Sequence, residues 1–90
     1  MRRKKVVEAL NEWMKNPKNV RFESLIKVVE AFGFRFSRGK GSHHIYTREG
    51  VTEILNFQEV DGKAKPYQVR QFIIVVEKYN LQVAEDDADL

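Results

Sequence analysis

The spacing of apolar residues changes twice along this chain, and these changes restrict the folds that it can adopt. Apolar residues recur every three or four positions over residues 3–15, which predicts a helix there. The same spacing recurs over residues 22–32 and 66–79. Between them, over residues 34–60, apolar and polar residues alternate, as they do along a strand that is buried on one face. The predicted order is therefore two helices, a region of strands and a final helix.

Glycine and proline mark the ends of these segments. Pro17 and Gly33 follow the first two helical patterns, and Pro66 suits the first position of the last helix. Turn residues at 38–41, at 50 and at 61–62 divide the alternating region into strands over 34–37, 42–47 and 51–60. Short links between strands favour antiparallel pairing. We therefore predict the α+β class, with a three-stranded antiparallel sheet and helices on one face.

The length of 90 residues suits a single domain over 1–90. We take residues 19–80 as its core, the helix over 3–15 as an addition, and 82–90 as a flexible acidic tail. The simplest role for the additional helix is that Trp13 and Met14 extend the core.

The charge of the chain is unevenly distributed. Of its 13 acidic residues, Glu85, Asp86, Asp87 and Asp89 lie in the last six positions, while 16 lysines and arginines are spread over the rest. A basic body of this kind suits a nucleic-acid-binding protein, although excess charge can also serve solubility alone.

Composition excludes several other classes. The chain has no cysteine, which rules out disulfides and thiolate zinc sites, and its two histidines alone cannot complete an ordinary zinc site. We expect no metal and no cofactor. No apolar run approaches the roughly 20 residues of a membrane helix, and the basic start is not followed by the apolar stretch of a secretion signal. The expected location is the cytoplasm, without membrane association.

The strand over 42–47 carries both histidines of the chain. Side chains alternate between the two faces of a strand, and Ile45 is the natural candidate to face the helices. In that arrangement Ser42, His44 and Tyr46 share the open face. A neutral imidazole can take a 2′-hydroxyl proton, tyrosine can stack on a base, and nearby lysine and arginine attract phosphate. The residues alone leave open whether this surface cleaves RNA or is a noncatalytic module that binds RNA or protein.

The segment Gly41-Ser-His-His-Ile-Tyr46, preceded by a helix ending in Ala-Phe-Gly-Phe34, resembles the HicA family of toxins. The Gly-Lys-Ala-Lys-Pro-Tyr67 segment resembles a branch of that family with longer chains, and the likeness covers roughly residues 19–80. It implies a double-stranded-RNA-binding-like fold, cleavage of mRNA, and restraint by a HicB-type antitoxin protein. In the family pattern Gly-Ser-x-His, the last position is the catalytic histidine, which is His44 here.

The candidate site therefore has His44 as its catalytic residue. Lys63 and Lys65 join it because they lie at the start of the last helix, where the helix dipole favours anions. The candidate RNA-binding residues are Lys40, Gly41, Ser42, Tyr46, Arg48, Lys63 and Lys65. His43, Tyr46 and Lys40 stay open as alternatives for the group that protonates the leaving oxygen.

Overall fold

The computed structural model describes residues 2–83. Its elements are α1 (Arg3–Lys15), α2 (Phe22–Ala31), β1 (Arg35–Lys40), β2 (His43–Thr47), β3 (Leu55–Val60), β4 (Lys63–Ala64) and α3 (Pro66–Lys78). The predicted α+β class and element order are confirmed, with the very short β4 as an addition. Residues 84–90 of the predicted acidic tail lie outside the described residues, whereas Val83 packs against the core.

The strands form one antiparallel sheet in the order β1-β2-β3-β4. Asp61 and Gly62 both have positive φ angles, 52° and 77°, and this lets a tight turn fold β4 back onto β3. The predicted turn at 38–41 is wrong in extent, because β1 runs to Lys40 and only Gly41 and Ser42 form the turn.

The predicted third strand is too long at its start. It begins at Leu55 and not at residue 51. Residues 48–54 form a loop that is attached to the end of α3: the Tyr79 hydroxyl donates to Glu53 Oε1 at 2.6 Å, and Lys78 Nζ lies 2.7 Å from Glu53 Oε2. These contacts satisfy the polar groups of the loop through side chains instead of strand pairing.

A single hydrophobic core lies between the sheet and the helices. Phe72 of α3 is at its centre and makes edge-on ring contacts with Phe32, Phe34 and Phe57 at 5.8–6.4 Å between centroids. α1 packs on α2 and α3 and contributes the buried Val6 and Trp13. The prediction that the additional helix extends the core is thus confirmed for Trp13, whereas Met14 is half exposed.

A bulge interrupts β1 between Phe36 and Arg38. Residues that are paired directly across neighbouring strands lie on the same face of the sheet. By this rule Arg35, Arg38 and Lys40, which lie on both sides of the bulge, are on the face opposite the helices. No helix among residues 2–83 is long and apolar enough to cross a membrane.

Candidate functional site

The predicted orientation of the strand that carries the histidines is wrong. The side chains predicted to lie on the open face point towards the helices, and the alternate set lies on the open face. Tyr46 is only 5% exposed and lies in the core, while Ile45 is half-buried on the other face. The reason is the set of neighbours that pairing gives to Tyr46, because Phe36 and Leu55 are its register partners. His44 and Tyr46 do share a face, as predicted, but that face is the one covered by helices. Ser42 lies in the turn and not on the strand.

His44 is half-buried where the start of α2 meets the sheet. Its ring centroid is 5.0 Å from that of Phe22, the first residue of α2, and 6.4 Å from that of Phe36 on β1. Two aromatic side chains from different elements thus restrict the orientation of the imidazole.

A backbone hydrogen bond determines which nitrogen of His44 carries the proton in the neutral ring. Nδ1 lies 3.1 Å from the carbonyl oxygen of Ser42. A carbonyl oxygen only accepts, so Nδ1 must be the donor, and the lone pair of the neutral ring lies on Nε2. This tautomer is the one that a general base acting through Nε2 requires.

The position of Phe22 follows from backbone pairing between residues 20–22 and 62–64. The Phe22 amide donates to the Gly62 carbonyl at 2.9 Å, and the Ala64 amide donates to the Val20 carbonyl at 2.9 Å. The segment before α2 is thereby attached to the β3–β4 hairpin, and this holds the Phe22 ring beside His44.

Lys63 and Lys65 line a cavity of about 430 Å³ next to this segment. Lys63 Nζ donates to Asn19 Oδ1 at 3.3 Å. The rest of the lining is Lys18, Asn19, Val60, Ala64 and Pro66. The sequence analysis missed Lys18, because its place beside the two other lysines results from pairing between distant segments. No local pattern in the sequence indicates it.

The remaining candidate residues lie in several places. Lys40 and His43 are register partners on the open face, where His43 Nδ1 lies 3.3 Å from Asn56 Oδ1. The Arg48 guanidinium is used within the fold, since its Nε donates to the Phe32 carbonyl at 2.7 Å. Gly41 is exposed, and a Cβ added there would have no atom within 4 Å, so the turn before His44 is open to a ligand.

These positions bear on the group that protonates the leaving oxygen. Of the three alternatives, Tyr46 alone shares a face with His44, whereas Lys40 and His43 lie on the other face. Burial, together with the charge of Glu30, raises the pKa of the Tyr46 phenol above its usual value, so the phenol is protonated at neutral pH.

Sequence reasoning also missed Phe36, which the alternation assigned to an apolar strand face without further role. Its side chain is 54% exposed although it lies beside His44. Over residues 2–83, no group of three or more His, Cys, Asp or Glu side chains is placed to hold a metal ion.

One comparison with known proteins gives a family. The model of the family described as the HicA toxin of bacterial toxin–antitoxin systems matches residues 22–77, more than half of the chain. Comparisons with curated proteins and with solved structures gave no match. The matched region begins with α2 and ends within α3, so it contains the whole sheet and His44. The chain therefore belongs to the HicA family of toxins, which implies an antitoxin as its partner.

Proposed function

We propose that this toxin is a cytoplasmic endoribonuclease that cleaves mRNA without a metal ion, with His44 as general base. The observation that carries the proposal is the hydrogen bond between His44 Nδ1 and the Ser42 carbonyl, which leaves Nε2 free to accept a proton. Phe22 of α2 and Phe36 of β1 support it because their rings lie beside the imidazole and restrict its orientation.

The reaction needs only the RNA, His44 and water. His44 Nε2 takes the proton of a 2′-hydroxyl, and the 2′-oxygen forms a bond to the adjacent phosphorus. The bond from phosphorus to the 5′-oxygen breaks, and that oxygen receives a proton. The products are a 2′,3′-cyclic phosphate and a 5′-hydroxyl. We assign this proton to water, because Tyr46 lies in the core and its raised pKa makes the phenol a weaker acid. The His44 imidazolium then neutralises the hydroxide that is left.

The basic cavity beside the site holds the RNA backbone in this proposal. Lys18, Lys63 and Lys65 line it, and in the described part of the chain none of them forms an ion pair with a carboxylate. Their charges are therefore available to phosphates. The Gly41-Ser42 turn, in which Gly41 is exposed, lies next to His44 in sequence. In our proposal it contacts the same strand of RNA, with Lys40 at its border.

To restrain the toxin, its partner must cover this site. We propose that the partner is a HicB-type antitoxin that covers His44 and the lysine-lined cavity. Because phosphates and the antitoxin would then compete for the same surface, antitoxin binding and RNA binding should exclude each other.

The test is cleavage of an end-labelled single-stranded mRNA fragment in EDTA by three proteins: the wild type, His44→Ala and His43→Ala. The second variant is a matched control, because it removes the adjacent histidine on the other face of the same strand. We expect cleavage by the wild type and by His43→Ala, with cyclic phosphate ends, and none by His44→Ala.

Other outcomes would contradict the proposal. A 2′-deoxy substitution at the cleaved nucleotide must block the reaction, and cleavage of that RNA would exclude the 2′-oxygen as nucleophile. Loss of cleavage in His43→Ala but not in His44→Ala would show that His43, on the open face, is the catalytic histidine. RNA binding without cleavage by the wild type would favour a noncatalytic RNA-binding module.

A further inference from the structure

An exposed aromatic ring lies beside the proposed general base. Phe36 is 54% exposed, and its ring meets those of His44 and Tyr46 edge-on, with centroid distances of 6.4 and 5.8 Å. It lies on the helix-facing side of the sheet, as the register partner of Tyr46. The ring thus lies beside His44 on the same face of the sheet and leaves about half of its surface to solvent.

Single exposed apolar side chains are common on proteins, so exposure by itself does not indicate a function. Phe36 differs because its neighbours fix the orientation of the ring. A Cβ added at Gly39 would lie 3.2 Å from the Phe36 ring and 2.8 Å from the His43 carbonyl oxygen. The Phe36 ring therefore occupies the space that the side chain of any other residue at position 39 would need. A ring that is already ordered loses little conformational freedom when a ligand stacks on it.

The strand that carries this ring has positive and no negative charges, which suits an anionic ligand, while the ring itself suits a flat apolar group. β1 and β2 contain no acidic residue. Arg35, Arg38 and Lys40 also lie on β1, on the face of the sheet opposite Phe36. None of these three forms an ion pair with a residue of the described range 2–83. An unpaired nucleotide combines a negative phosphate with a base that has an exposed π face.

We propose that Phe36 stacks on an unpaired base of the RNA and thereby positions the nucleotide whose 2′-hydroxyl faces His44. This inference rests on the proposed function and adds a position at which one base of its single-stranded substrate is held. In a duplex each base is stacked on its neighbours and paired, so its face is not accessible to a side chain on this strand. Phe36 is a positioning residue here, since the reacting atoms contact His44.

Binding measurements in the noncleaving His44→Ala background separate stacking from charge. The comparison includes Phe36→Leu, Phe36→Trp and the control Ile74→Ala, which removes an equally exposed apolar side chain from α3. We expect Phe36→Leu to weaken affinity for a labelled single-stranded RNA by about 5- to 150-fold, the range for loss of one stacked base. Phe36→Trp and Ile74→Ala should bind like the background protein. The dependence of affinity on salt should stay unchanged in Phe36→Leu, because no phosphate contact is lost.

The decisive test combines Phe36→Leu with a change in the RNA. A set of oligonucleotides carries one abasic ribonucleotide at successive positions. We expect one position at which removal of the base weakens binding to the protein that retains Phe36. The loss of affinity there should equal the loss that Phe36→Leu causes with the intact RNA. At that position the two changes should not add, because each removes the same contact.

Each other result decides against a definite part of the argument. Equal affinity of Phe36→Leu and Phe36→Trp would overturn stacking, even if the wild type cleaves RNA through His44. Additive effects of Phe36→Leu and every abasic position would overturn it too. Equal affinities for an RNA duplex and for the single strand would refute the requirement for an unpaired base. Absence of cleavage by the wild type, with nonadditivity intact, would refute the proposed reaction and leave stacking in place.

Discussion

Gln68 allows one prediction whose size follows from the structure. It is 4% exposed, and its side-chain Oε1 accepts a hydrogen bond from the Gln58 backbone amide at 2.7 Å. β4 ends at Ala64, which pairs with Glu59, so β4 is too short to reach the amide of Gln58. Gln68 therefore supplies from α3 the acceptor that a longer β4 would have provided.

The change to test is Gln68→Met, which keeps a side chain of similar length but removes the acceptor. A buried amide that loses its only partner costs about 1–3 kcal/mol, and this bond is partly buried, so we expect about 1–2 kcal/mol. In a domain of this size 1 kcal/mol lowers the melting temperature by about 4–8 °C, which gives a decrease of roughly 4–16 °C. Thermal unfolding followed by circular dichroism measures the decrease directly.

The second hydrogen bond of Gln68 provides the control. Its Nε2 donates to the Tyr67 hydroxyl at 3.3 Å, and Tyr67 is 52% exposed, so water can replace that partner. Tyr67→Phe should therefore unfold within about 0.5 kcal/mol of the wild type. Gln68→Met as stable as Tyr67→Phe, with unchanged hydrogen exchange at the Gln58 amide, would refute the view that this amide depends on Gln68.

Three further predictions concern α1, the basic cavity and the loop before β3. Trp13→Ala should cost about 3–5 kcal/mol in urea unfolding because the indole is buried, whereas Met14→Ala, at a half-exposed position, should stay within about 0.5 kcal/mol. Lys18→Ala should weaken single-stranded RNA binding and reduce the slope of log affinity against log salt by about 0.7; an unchanged slope would remove Lys18 from the phosphate site. Hydrogen bonds from Lys78 and then Tyr79 lower the pKa of Glu53 from 4.5 to about 2, so the folded state binds its proton more weakly than the unfolded state. The wild type should then be more stable than Glu53→Gln above pH 4.5, and unfolding at a series of pH values should show this advantage disappearing as the pH falls towards 2.

Much of the fold could be predicted because local chemistry determines the ends of its elements. Pro66 is the first residue of α3, Gly33 has the left-handed φ of 93° that follows a helix, and Asp61-Gly62 forms the tight turn. Each of these features depends on backbone preferences of one or two residues, which a sequence displays directly.

The face of β2 could not be predicted in the same way. Ile45 and Tyr46 are both apolar enough to face a core, and alternation alone does not decide between them. Tyr46 faces the core because strand pairing places two apolar residues beside it, Phe36 of β1 and Leu55 of β3. The bulge in β1 adds to the difficulty, because it changes which residues of that strand share a face.

The choice of His44 survives as a proposal although the reasoning about its face was wrong. Alternation correctly placed it with Tyr46, and the resemblance to the Gly-Ser-x-His pattern implies the same residue. What changes is its environment, since His44 lies half-buried beside the start of α2 and not on an open sheet surface. There Phe22 and the Ser42 carbonyl fix the ring and its tautomer, contacts that no pattern along β2 reveals.

The short segment over residues 18–22 connects the parts of the site. Lys18 and Asn19 line the basic cavity, and Phe22 contacts His44 on the other side. The backbone between them is paired with the β3–β4 hairpin, so its two ends cannot shift independently. α1 immediately precedes this segment and lies outside the region that matches the family model. α1 packs on α2 and α3, and this packing determines where the segment starts. Under the proposed function, the added helix would therefore act on RNA binding through the position of Lys18 as well as on stability.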